Sequence, residues 1–375
     1  MPTMHADVTA AAPAELLSDY QPGAFFLSSP AGVVLADEPS AVHTTIAAAT
    51  QALQAAGGVL AGAIPFARTA PARLGLYSSV RHGQPWHMAT PTLSPLDRPD
   101  FSGADDSRDV YVAGVRAALE RIQSAELSKV VLARVLDLRS DRPVLTGKLL
   151  ERLVARDPYG YTFATDVGAG SLVGASPELL VSRRAGLVTA NPLAGSAPRH
   201  ADPVQDGRNA TGLLVSEKDR HEHEVVVKAV AAGLAPLCAR VVVPPTPELL
   251  PTRTMWHLST LIEAEPLPGV SALDLAIALH PTPAVCGTPT EPARALIGEL
   301  EPFDRGFYTG LVGWTDAAGD GEWAIALRCG VVDGTSLRLY AGAGIVAGSD
   351  PDKELAETTA KFRTFLNAIG LGDLT

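Results

Sequence analysis

Trp323-Ala324-Ile325-Ala326-Leu327-Arg328-Cys329-Gly330-Val331-Val332, followed closely by Leu337-Arg338-Leu339-Tyr340, is the stretch whose reading decides the fold. Both parts are rich in apolar and β-branched residues, which predicts two strands in succession, Trp323–Val332 and Leu337–Tyr340. A helical pattern comes only afterwards, over 352–368. The same order recurs earlier, where Ser171–Val173 and Leu179–Ser182 read as a strand pair interrupted at Ser176-Pro177-Glu178. Strands in runs, not strictly alternating with helices, favour an α+β fold over a doubly wound parallel sheet.

Working outward, Val130–Leu138 reads as a strand with Lys129 at its entrance. Before it, Val112, Val115, Leu119 and Ile122 recur at helical spacing, and 206–235 is helical in pattern. A helix is also predicted over Ser40–Ala56, near an apolar run at Ala31–Ala36. The Pro, Gly, Ser and Asp of Pro91–Asp109 read as a surface connection. No repeat of fixed period and no low-complexity tract is present.

The 375 residues suit one large domain or two ordinary ones, at ~100–200 residues each. With 46% apolar and 19% charged residues, general disorder is excluded. The net charge of −11 argues against a nucleic-acid partner, because a phosphate-backbone binder is basic. An anionic substrate then requires a few placed cations or a metal ion. Cys238, Cys286 and Cys329 are odd in number and far apart, which indicates neither a disulfide framework nor a thiolate zinc site. Met1–Asp7 lacks the pattern of a signal peptide, and the apolar run Gly57–Ala67 is too short to cross a bilayer, so no membrane partner and a cytoplasmic location are expected.

The most chemical feature is two pairs of carboxylates. On helices, Asp219 and Glu222 share one face, and Glu354 and Glu357 share another. Opposed across a cleft, the four would offer only hard oxygen ligands, which suits Mg²⁺. On spacing alone, two solvated acidic helix faces are the simpler reading. His221 and His223 are two apart and point to different sides of a helix, which disfavours zinc. Gly342-Ala343-Gly344 sits between a strand and a helix as a dinucleotide loop would. The continuation misses G-x-G-x-x-G and turns acidic at Asp350, Asp352 and Glu354, so these glycines instead let backbone approach another ligand.

Taken together, several segments resemble the chorismate-utilising enzymes, most closely isochorismate synthases of the siderophore type. They are Ser128-Lys129-Val130-Val131-Leu132-Ala133-Arg134, Gly174-Ala175-Ser176-Pro177-Glu178-Leu179-Leu180, Pro192-Leu193-Ala194-Gly195-Ser196 and Glu217-Lys218-Asp219-Arg220-His221-Glu222-His223-Glu224. Further along come Trp256-His257-Leu258, His280-Pro281-Thr282-Pro283-Ala284, Glu299–Arg305, Leu327-Arg328-Cys329 and Ala341–Val346. The resemblance spans about residues 110–370, in order, and reverses the reading of the acidic pairs. It implies a single large α+β domain like that of anthranilate synthase component I, with antiparallel or mixed sheets flanked by helices. Residues 1–105 form a weakly matched N-terminal part and 106–375 the catalytic region.

The activity it implies is Mg²⁺-dependent conversion of chorismate to isochorismate. Water adds at ring carbon 2, the hydroxyl on carbon 4 departs, and the ring double bonds shift. By the family motif Lys129 is the base that activates water, and Glu178 the acid that protonates the leaving hydroxyl. Glu222 and Glu357 hold Mg²⁺ directly, and Asp219 and Glu354 reach it through water. Arg328 and Lys361 meet the enolpyruvyl carboxylate, Gly195, Ser196, Gly342 and Gly344 lie against the substrate, and His257 is the ring-side histidine.

Two positions bear on the product. Members that install an amine through a covalent lysine carry Lys where this chain has Ala194. Members making anthranilate or salicylate tend to have Thr where it has Ala284. Val285 stands where the family pattern has Leu. The alternatives are a salicylate synthase, which adds pyruvate elimination to the same first step, and a catalytically silent chorismate-binding protein. A monomer is the default expectation.

Overall fold

The computed structural model describes residues 11–86, 100–103, 107–253 and 255–371. Its central strands are apolar on both faces because each face is covered. Along Gly321–Ile325, Trp323 and Ile325 enter one core while Ala324 enters another, following the two-residue period of a pleated strand. Phe25–Ser29 behaves alike, with Phe25 and Leu27 on one side and Phe26 on the other. The shared core is the layer between two large antiparallel sheets packed face to face.

The first sheet runs, in spatial order, Gly287–Thr288, Lys129–Ser140, Ser336–Val346, Cys329–Asp333, Ser171–Ser176, Tyr161–Asp166, Phe25–Ser29, Gly32–Ala36 and Arg81–Gly83. The second runs Cys238–Val242, Ile262–Pro266, Leu187–Ala190, Leu179–Arg184, Gly321–Ile325, Leu311–Asp316, Val59–Ile64, Arg73–Tyr77 and Ala41–His43. Helices cover the outer faces. Thr146–Arg156 and Pro351–Ala368 pack on the first sheet, and Glu217–Leu234 and Ala272–Leu279 on the second. Strands from the first hundred residues enter both sheets, so the N-terminal part is integral to one α+β domain. The division placed between 105 and 106 lies outside the described residues.

The strand pairs read from sequence need correcting in one instructive respect. Ser171–Ser176 and Leu179–Arg184 do not pair with each other; one lies in each sheet, and Pro177-Glu178 is the passage between them. Likewise Trp323–Val332 is two strands, Gly321–Ile325 in the second sheet and Cys329–Asp333 in the first, separated by Ala326-Leu327-Arg328. The passages run side by side, because Ser171–Ser176 pairs with Cys329–Asp333 and Leu179–Arg184 with Gly321–Ile325. Backbone bonds lock them: Ala175 N–H donates to Arg328 O at 3.2 Å, and Ile325 N–H to Glu178 O at 3.2 Å. The sharp change of sheet leaves Arg328 at φ +48°, in the left-handed region that a non-glycine residue adopts only when its surroundings impose it.

Other boundaries differ locally. Ser40–Ala56 divides into an edge strand, Ala41–His43, and a helix, Ile46–Ala56, whose start is set by Thr45 accepting from Ala48 N–H. The helical pattern 206–235 is two helices, Pro203–Val215 and Glu217–Leu234. They break at Ser216, which is extended and caps the second helix by accepting from Asp219 N–H. Gly342 and Gly344 do not lie in a loop; they belong to the strand Ser336–Val346. Within Pro91–Asp109, Phe101–Ser102 is a strand and a helix, Arg108–Gln123, has already begun, while 91–99 and 104–106 lie outside the described residues. Among the described residues no helix is long and apolar enough to cross a membrane.

Candidate active site

A cavity of about 360 Å³ opens where the two passages, the strand Lys129–Ser140, and the starts of the helices Glu217–Leu234 and Pro351–Ala368 converge. Lys129, Glu178, Gly195, Ser196, Asp219, Glu222 and His257 line it. So do Ala284, Arg328, Gly342, Gly344, Glu354, Glu357 and Lys361, which brings every residue that the resemblance assigned to catalysis, substrate or metal into one space.

At the passages the walls are poor in partners for charge. Glu178 is only 4% exposed, and burial pushes its carboxyl up to about 8, against the opposing pull of the Leu193 N–H, Lys129 and Arg328. At neutral pH it therefore carries its proton. Burial also lowers the Arg328 guanidinium, which makes no hydrogen bond or ion pair with another described residue. A cation is thus held ready where an anionic group can reach it. His257 is buried, with Nδ1 2.7 Å from Ser196 Oγ and Nε2 unpartnered. Burial, then Arg328 and Lys361, depress it to about 3, so it is a neutral imidazole at working pH.

The helices furnish the opposite wall. Asp350 caps Pro351–Ala368 by accepting from Asp352 and Lys353 N–H, fixing the first turn from which Glu354 and Glu357 enter the cavity. Lys129 Nζ donates to Glu222 Oε1 at 2.7 Å, and Lys361 Nζ is 2.7 Å from Glu357 Oε1. Lys361 also donates to Gly342 O at 2.8 Å. Lys361 holds the Glu357 carboxyl below the usual range, whereas burial raises Glu354. The four carboxylates therefore face the cavity as two pairs, with one member of each tied to a lysine. Among the described residues no three His, Cys, Asp or Glu side chains converge as they stand on a single metal position. The donor set is nonetheless all oxygen and all carboxylate, the chemistry that suits a hard divalent cation.

Two glycines sit close against the site's side chains. A Cβ on Gly344 would come within 2.9 Å of Lys129 Cε and 3.4 Å of Glu222 Oε1, so any larger residue there would push the end of the lysine aside. Gly195 has φ +77° and would bring a Cβ within 3.1 Å of Asp219 Cβ. The sequence reading missed Lys218, Tyr308 and Thr309 as lining residues. Lys218 stands beside Asp219 in a quoted motif, and its charge was the available signal. Tyr308 stacks on Tyr340 with ring centroids 5.1 Å apart, and nothing in its sequence neighbourhood separates it from a core tyrosine.

Comparisons with known proteins agree with this geometry. A family model described as chorismate binding enzyme matches residues 90–370. The isochorismate synthase DhbC of Bacillus subtilis is 47% identical over 390 aligned positions, covering 95% of this chain and 96% of that protein. A solved structure from Bacillus anthracis, described provisionally as a 2,3-dihydroxybenzoate-specific isochorismate synthase, DhbC, superposes with TM-score 0.87 at 44% identity, covering 96% of this chain and 100% of that one. Anthranilate synthase component I from Streptococcus pneumoniae shares the fold alone, with TM-score 0.66 at 21% identity over 97% of this chain and 95% of that one. Matched over most of its length by both sequence and fold, this chain belongs to the chorismate-binding enzyme family.

Proposed function

We propose that the protein is an isochorismate synthase, an isomerase that converts chorismate to isochorismate. The observation that carries this reading is a buried Glu178, its carboxyl pushed up to about 8 by that burial, sharing one cavity with Lys129 and an unpaired Arg328. The relatedness to DhbC supports it. Arg328 and Lys361 receive the enolpyruvyl carboxylate, and Gly195, Ser196, Gly342 and Gly344 lie against the substrate. Lys129, released from Glu222 and having given a proton to solvent, takes as a neutral amine a proton from the water that attacks carbon 2. Glu178 gives its proton to the hydroxyl leaving carbon 4, which departs as water while the double bonds shift. One water enters and one leaves, so the reaction is a net isomerisation; Lys129 and Glu178 return to their starting states by exchange with solvent. His257, neutral and oriented by Ser196, offers Nε2 to the ring side without adding charge.

Glu222 and Glu357, with Asp219 and Glu354 behind them, would hold Mg²⁺. When bound it supplies Lewis-acid withdrawal of electron density from the ring carboxylate. Ala194, in place of the lysine through which some members install an amine, and Ala284, in place of threonine, favour release of isochorismate. One relative is described as vibriobactin-specific and one solved structure as menaquinone-specific, and this product is proposed to feed a siderophore or menaquinone route, from a monomer in the cytoplasm. The test is to incubate the purified protein with chorismate and Mg²⁺ and separate the products. Isochorismate is expected, and a chelator should abolish it. Salicylate as the sole product would instead support the salicylate synthase reading, and unconsumed chorismate a silent binding protein.

A further inference from the structure

Arg134 lies outside the cavity lining but is wholly buried beneath the helix that carries Glu354, Glu357 and Lys361. It stands on the strand that starts with Lys129. Its guanidinium donates from Nε to Thr358 Oγ1 at 2.8 Å and from Nη2 to Thr359 Oγ1 at 2.7 Å. It also lies 4.8 Å from the centroid of the Phe362 ring, one turn further on. Each threonine hydroxyl uses its own proton too: both donate to Leu355 O at 2.9 Å. The strand is thereby joined through a rigid fork and two hydroxyls to the carbonyl next to Glu354, and Thr358 adjoins Glu357 in sequence.

Helix rotation decides where Glu354 and Glu357 point, since a turn of one residue position swings a side chain through about 100°. Two adjacent hydroxyls bound to a planar fork resist that rotation, where a single contact would act only as a pivot. Hydroxyls inside a helix that bond back to a carbonyl do not of themselves favour the helix. Their second bonds to a buried arginine give these two a purpose.

We propose that Arg134, acting through Thr358 and Thr359, is a positioning residue for the divalent cation. It sets the rotation of the helix so that Glu354 and Glu357 face Asp219 and Glu222. This inference rests on the metal reading above. Substituting Thr358→Val and Thr359→Val together removes both hydroxyls at nearly constant volume, and Thr358→Ser with Thr359→Ser keeps them.

The readout is Mg²⁺ affinity by calorimetry on the free enzyme without substrate, alongside the Mg²⁺ dependence of chorismate turnover. The valine pair should bind Mg²⁺ about 10–100-fold more weakly, as changes behind metal ligands do, with kcat at saturating Mg²⁺ reduced much less. The serine pair should restore wild-type affinity. Glu357→Gln serves as the control for the underlying assignment. If Glu357→Gln weakens Mg²⁺ binding while the valine pair binds it like wild type, Arg134 has no positioning role. If Glu357→Gln leaves binding unchanged, the metal assignment itself fails, and this inference with it. A valine pair whose loss the serine pair does not repair would also overturn the proposal, because volume and not the hydroxyl would then be the cause.

Discussion

Glu178 and Glu357, on opposite walls of the cavity, are driven in opposite directions. On the wall made by the passages between sheets, Glu178 is stripped of water and holds its proton up to about 8. On the wall made by helices, Glu222 and Glu357 each touch a lysine at 2.7 Å, and Lys361 keeps Glu357 ionised. The same functional group thus keeps its proton at Glu178 and is ionised at Glu357. Environment makes the difference: a strand passage buried between two sheets has few groups to answer a charge, whereas helix starts point into a shared, polar space. An enzyme that must hold an anion and protonate a leaving group in one step needs both.

The comparison breaks most visibly if the proton-transfer residues are removed. Lys129→Ala and Glu178→Gln should each lower turnover by about 10²–10⁴-fold while the protein stays folded, the usual worth of general acid–base catalysis. Near-wild-type rates in either variant, measured by chorismate consumption, would remove that residue from the mechanism. Arg328→Met should act next most strongly. Losing a charged hydrogen bond to the substrate costs roughly 1.5–3 kcal/mol, so KM for chorismate should rise at least about tenfold with a smaller change in kcat. An unchanged KM would place the enolpyruvyl carboxylate elsewhere.

The smallest effect sharpens the comparison through stability. Because the folded-state pKa of Glu178 is raised, the folded protein keeps a proton that the unfolded chain releases. Its contribution to stability is therefore lost as pH rises from about 4.5 towards about 8. Glu178→Gln lacks this loss. The stability of the variant relative to wild type should improve by about 1.4 kcal/mol per pH unit between pH 5 and 7, followed by chemical denaturation. A difference independent of pH would mean the carboxyl is already ionised in the folded state.

Much of the site was legible in sequence because its residues sit in long local motifs, and both acidic pairs have the spacing of one helix face. The α+β class was legible too, from strands that follow one another. The passages were not. Trp323–Val332 reads as one strand because apolar residues suit either sheet equally. Only pairing with strands some 150 residues away, Leu179–Arg184 and Ser171–Ser176, shows that the chain changes sheet at Arg328. For the same reason Gly342 and Gly344 looked like loop glycines, when they are strand residues, the first packed closely against Leu132 and Tyr308 and the second against the end of Lys129. The pairing of Lys129 with Glu222 and the buried fork of Arg134 likewise join segments distant in sequence, and no local pattern announces them.

The protonation state of Glu178 tests the account most directly. Carboxyl resonances of ¹³C-labelled glutamate, compared between wild type and Glu178→Gln across pH, should yield one signal present only in wild type that titrates near pH 8. A Glu178 carboxyl that is ionised throughout and titrates at or below about 4.5, like an exposed glutamate, would contradict it.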